Sequence, residues 1–239
     1  MHTEKLAAVA DLRRQMARLE RRANIPQAPS LAFGIDSQDA CLGGGLEQGA
    51  LHEIGGPAAL AFAAMLTARA NDEFGDETLW VAERDSLERL YPLGMAEFSL
   101  FPSYFLYVEA PPGDALWALE QALQGGAHRW VVASAPAPDF AESRRLQLAA
   151  RENGATALLL PSRRAAGAGP ASAAVTRWRV SPHPSGPANT PVFCLELLKN
   201  KKGLNGAWTI TWNRSERRLR LAAKPRDRSD RAAPSHCAG

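Results

Sequence analysis

The sequence predicts an α/β protein: a mostly parallel sheet with helices on both faces, preceded by an N-terminal helix. Three observations predict it. Short apolar runs of strand length recur along the chain, as at 78–82 (TLWVA) and 130–133 (WVVA). Segments of roughly 10–15 residues with helical spacing separate them. The runs are apolar throughout, as in strands covered on both sides. With 239 residues, 46% of them hydrophobic and 22% charged, the chain has the material for one sizeable core. That composition excludes collagen-like, coiled-coil and wholly disordered chains.

The elements follow in order. Residues 5–23 place Leu6, Val9, Leu12, Met16 and Leu19 three and four apart, which predicts an amphipathic helix with a narrow apolar stripe. Pro26 and Pro29 end it, since each proline removes a donor and restricts the residue before it. A strand is expected at 49–54 (GALHEI), then Gly55-Gly56-Pro57 and an Ala-rich helix at 58–71. Next come a strand at 78–82, a short helix at 86–91, a strand at 105–108 and a helix at 113–123. A strand at 130–133, a helix at 140–153 and a strand at 156–160 complete the alternating part. Residues 163–174 are Ala/Gly-rich and read as a loop, and 175–180 (VTRWRV) alternate as a strand does. Four prolines make 181–191 a loop. Strands at 192–198 and 207–212, joined through 199–203, form a hairpin-like sheet edge. The chain thus divides into helix and linker (1–30), core (31–213) and a basic tail predicted to be disordered (214–239).

Charge and cysteine usage narrow the class. The net charge of +3 hides an excess of five positive charges over residues 214–231. Such a segment suits an acidic partner or a phosphate backbone, with Arg217, Arg218, Arg220 and Lys224 as candidate contacts. Cys41, Cys194 and Cys237 are far apart and lack metal-ligand spacing, which fits reduced thiols in the cytoplasm. No apolar run approaches the ~18–20 residues of a membrane span, and the N-terminus lacks a secretory apolar region. No cofactor or metal is expected.

The strand–turn–helix at 49–71 is the setting of a phosphate-binding loop, G-x-x-x-x-G-K-[ST], whose glycines, lysine and hydroxyl hold phosphates and magnesium. Gly56 takes the first glycine position, but Ala61, Phe62 and Ala63 stand at the second glycine, the lysine and the hydroxyl. Without that charge and metal clamp, ATP hydrolysis should fail, because phosphoryl transfer depends on it. Phe62 is expected to set an apolar ring against the phosphate position. His52 and His128 are expected to be structural, and the six tryptophans to serve packing.

The order of landmarks resembles the RecA ATPase core. They are Phe33-Gly34-Ile35-Asp36, Leu42-Gly43-Gly44-Gly45-Leu46, His52-Glu53-Ile54, the strand ending in Glu83, and Lys199-Asn200-Lys201. Glu83 matches that family's catalytic glutamate; with no clamp it is expected to lead a helix or form a salt bridge. Ala133 replaces the aspartate of the magnesium-side strand. Gly49-Ala50-Leu51-His52-Glu53, residues 114–120 (DALWALE), 143–150 (SRRLQLAA) and 176–180 (TRWRV) are similar to the ImuA family of inducible mutagenesis proteins. The resemblance implies a non-catalytic RecA-like accessory of damage-induced translesion synthesis. It also implies contacts with the polymerase homologue ImuB and the error-prone polymerase, and RecA as a further candidate. A cell-division inhibitor of the SulA type, and a DNA-binding accessory making weak contacts through the basic tail, are the alternatives.

Overall fold

The computed structural model describes residues 29–83, 91–161, 171–184, 191–203 and 205–222. The N-terminal helix expected at 5–23, the helix expected at 86–91 apart from Tyr91, and the chain beyond 222, Lys224 included, lie outside the described residues. Two short strands, β1 (Ser30–Leu31) and β2 (Leu46–Glu47), pair antiparallel ahead of the main sheet. Between them helix α1 (Asp36–Leu42) was not foreseen. Asp39 holds its entry, accepting from the N–H groups of Phe33 (2.7 Å) and Gly34 (2.9 Å).

The main sheet contains β3 (Leu51–Gly55), β4 (Thr78–Glu83), β5 (Phe105–Ala110), β6 (Trp130–Ala135) and β7 (Thr156–Pro161). It continues with β8 (Thr176–Pro182), β9 (Val192–Asn200), β10 (Gly206–Asn213) and β11 (Arg218–Leu221). The strand order is β11-β10-β9-β8-β3-β7-β6-β4-β5. Neighbours from β8 to β5 are parallel, and those from β8 to β11 antiparallel. The continuous apolar runs became the central strands β4, β6 and β7, while the alternating run became β8, with inward Trp178 and Val180.

Helix α2 (Ala59–Phe74) lies against one face, and α4 (Ala115–Gly125) and α5 (Phe140–Asn153) cover the other. Short α3 (Pro92–Ala96) precedes β5. Asp139 and Glu142 close a reciprocal capping box on α5, with N–H to carboxylate distances of 2.7 and 2.8 Å, a device typically contributing about 1 kcal/mol. In α2, every residue from Phe62 to Ala70 is buried. That is more than two full turns, so the helix is covered on all sides.

Besides the sheet, the 31–35 segment covers it, with Phe33 stacked on Phe62 and the Ala32 carbonyl accepting from the Arg69 guanidinium, and the segment ahead of β5 meets the β10–β11 turn. Ser99, ahead of β5, donates from its hydroxyl to the Arg214 carbonyl in the β10–β11 turn (3.0 Å). Arg214 pairs with Glu97 at 3.1 Å. Arg217 reaches Asp72 on α2 (3.3 Å) and sits 5.3 Å from the Tyr104 ring centre.

These contacts correct the expected domain limits. The core does not stop at 213. Residues 218–221 form β11, and Leu219 is buried against the core, opposite Trp212 in register. The alternation of Arg218, Leu219 and Arg220 is a one-sided strand whose charges face water, which a charge-based reading takes for a disordered tail.

Candidate functional site

Only Gly56, Pro57 and Ala58 separate the end of β3 from the start of α2. A phosphate loop needs more backbone than this, with free N–H groups turned inward. None is free at 57–59. Pro57 has no N–H, that of Ala58 donates to the Val180 carbonyl on β8 (3.1 Å), and that of Ala59 to the Gly56 carbonyl (3.2 Å). Gly56 adopts φ +101°, and a Cβ there would lie 2.3 Å from the Val180 carbonyl oxygen. A side chain at 56 would collide with β8, on which the loop rests directly.

Phe62, at the lysine position, is fully buried. Its ring lies 6.1 Å from that of Phe33 and 5.7 Å from that of Trp178. The expectation that it faces a phosphate is therefore corrected: the early start of α2 turns this position into the core. Ala61 is half-buried against the same cluster, and Ala63 and Ala133 are fully buried. Glu83, at the catalytic-base position, accepts a hydrogen bond from the Gly113 N–H (2.9 Å) and ties the end of β4 to the loop before α4.

A buried polar cluster at Glu53 was not read from the sequence. Arg177 pairs with Glu53 at 2.6 Å, and the Ser172 hydroxyl donates to the same carboxylate. Lys199 donates to the Ser172 carbonyl and Lys201 to that of Ala173, the latter at 2.5 Å. Burial, reinforced by nearby Lys201, lowers the pKa of Lys199 below its usual value. These groups fasten the strand entry at 171–176 to the sheet. The signal was a carboxylate inside the apolar run LHEI, which a buried strand tolerates only when paired. Asn200, between the two lysines, donates to the Cys41 carbonyl (2.9 Å) and holds α1.

Of the candidate basic contacts, Arg217 sits in the β10–β11 turn and Arg218 and Arg220 on β11, while Lys224 lies outside the described residues. Arg220 pairs with Glu216 at 2.5 Å, Arg217 is engaged as described, and Arg218 is exposed on β11.

No family model matches the chain. The ImuA proteins of two Caulobacter vibrioides strains are each 34% identical to it over 206 residues, covering 76% of this chain and 83% of theirs. The chain belongs to the ImuA family. Its fold is that of RecA-like proteins: the crystal structure of the RadB recombinase superposes with a TM-score of 0.56 at 16% identity, covering 81% of this chain and all of that one. Among the described residues of this ImuA-family chain no helix is long and apolar enough to cross a membrane, and no cluster of three or more potential metal ligands occurs.

Proposed function

We propose that this ImuA-family chain is a non-catalytic RecA-like accessory of damage-induced translesion DNA synthesis, acting through protein contacts with an ImuB-like polymerase homologue and the error-prone polymerase. The observation that carries the reading is the closed loop at 56–58, with Phe62 in the core where a nucleotide-binding protein places its lysine. Phosphoryl transfer is almost wholly positioning and charge stabilisation. Here the lysine, hydroxyl and magnesium carboxylate positions hold Phe62, Ala63 and Ala133, all inside the protein. Family membership supports the choice of pathway, and the intact sheet supports a rigid surface for docking.

Titration calorimetry with ATP and magnesium, with protein at about tens of micromolar, should give no binding heat. Co-purification should retain the ImuB-like protein. A micromolar dissociation constant for ATP, or turnover abolished by Glu83→Gln, would overturn the non-catalytic reading. Capture of FtsZ in place of the ImuB-like protein would point to division inhibition instead.

A further inference from the structure

Large apolar side chains left exposed on a folded chain are normally scattered singly. Here Trp117 on α4 and Leu148 on α5 are 61% and 47% exposed on two helices that lie together. Glu120 and Arg145, 3.4 Å apart, hold those helices side by side. Each returns the chain between parallel strands of one sheet, so both run in the same direction. Trp117 and Ala141 therefore lie about one turn before the Glu120–Arg145 pair, and Gln124 and Leu148 about one turn after it. All four are exposed along the seam between the helices. The core does not use them, because Leu119, Leu123 and Leu146 already face the sheet.

The charge beside the seam has a sign. Arg144 and Arg151 stand four residues before Leu148 and three after it, on one side of α5. Both are exposed and tied to no carboxylate among the described residues. The neighbouring carboxylates are engaged: Glu120 pairs with Arg145, and Glu142 closes the capping box. Glu152, in the last turn, is exposed. Tryptophan and arginine are the residues in which binding energy concentrates at protein interfaces.

The terminal segments outside the described residues do not complement this surface. Residues 5–23 carry six basic residues against Asp11 and Glu20. Residues 223–231 carry Lys224, Arg226, Arg228 and Arg231 against Asp227 and Asp230. Either would bring positive charge to unpaired arginines, so the occupant comes from another protein and is acidic. Resting on the partner reading above, we propose that the α4–α5 seam docks an acidic amphipathic helix of the ImuB-like protein. Its apolar side chains sit on Trp117 and Leu148, and carboxylates two turns apart meet Arg144 and Arg151. An amphipathic helix laid into a groove is a recurring mode of recognition, and residues seven apart on it share a face.

Biolayer interferometry with the full chain and the whole ImuB-like protein tests this. Trp117→Ala/Leu148→Ala should weaken binding about tenfold or more. Arg144→Glu/Arg151→Glu should weaken it comparably. It should also remove most of the affinity loss that the unaltered chain shows when salt rises from about 50 to 300 mM. Arg144→Lys/Arg151→Lys keeps the charges and should bind nearly as the unaltered chain does. Should the alanine variant melt early, amide exchange of the unaltered chain reads the same surface: the ImuB-like protein should protect α4 and α5 and leave β10 and β11 unchanged. Undiminished binding by both the alanine and the glutamate variants would overturn the assignment of this surface and leave the partner reading standing. No binding by the unaltered chain would overturn both. A chain that sediments as a dimer at about tens of micromolar, and as a monomer once Trp117→Ala/Leu148→Ala is made, with partner binding unchanged, would give the seam to a second copy instead.

Discussion

His52 lies in the middle of β3 with no exposed surface. Its Nε2 is 2.7 Å from the Glu47 carbonyl, which only accepts, so the ring proton is assigned there. Nδ1 then accepts from the Thr176 hydroxyl (2.7 Å), whose oxygen accepts from the Trp178 indole (2.8 Å). The neutral ring satisfies the chain, and burial depresses its pKa from 6.5 to about 4. The unfolded chain therefore takes up a proton near pH 6.5 that the folded chain refuses until about pH 4. The stabilisation is complete above about pH 6.5 and is lost as pH falls toward 4, at up to about 1.4 kcal/mol per pH unit. Denaturant titrations from pH 7.5 to 4.5 should show this slope in the native chain and its reduction in His52→Gln. Equal slopes would mean that His52 titrates alike in both states. A structural role for His52 was legible in the sequence from its isolation, but its partners were not. Nor was the closed loop: the carbonyl that closes it belongs to Val180, a residue far along the chain.

Among elements, those whose residues repeat one pattern long enough were read correctly, as with the apolar strands β4, β6 and β7 and the helix α5. The short ones were not. Helix α1 has seven residues and buries Gln38 as well as Leu42, so no apolar period marks it. Strand β11 has four residues, and Arg218 and Arg220 mask the one inward side chain. That side chain has a measurable consequence. Leu219→Ala removes a side chain that is 2% exposed and should cost about 2–4 kcal/mol. Truncation after residue 213 should lower the melting temperature by circular dichroism, whereas truncation after 222 should leave it nearly unchanged. Identical melting of both truncated chains would show that β11 adds nothing to the core.

At the scale of the molecule, the nine-stranded sheet packs on α2, the segment ahead of β5 meets the β10–β11 turn through Ser99 and Arg214, and Arg217 ties that turn to α2. Amides at 62–70 should then exchange with solvent only through global unfolding, at the free energy found by denaturant titration. The α4 amides, beside exposed Gln121 and Gln124, should open earlier, as hydrogen-exchange mass spectrometry would resolve. Faster exchange in α2 would mean that this cover opens locally. The sheet keeps two rims, and they are not equally protected. Along β11 the outward charges of Arg218 and Arg220 repel a like strand, a common safeguard against chains zipping together. Along β5, Leu106 is 48% exposed beside backbone that pairs on one side only, with β4, among the described residues. In a concentrated solution the two rims therefore differ in stickiness, and clumping starts from β5.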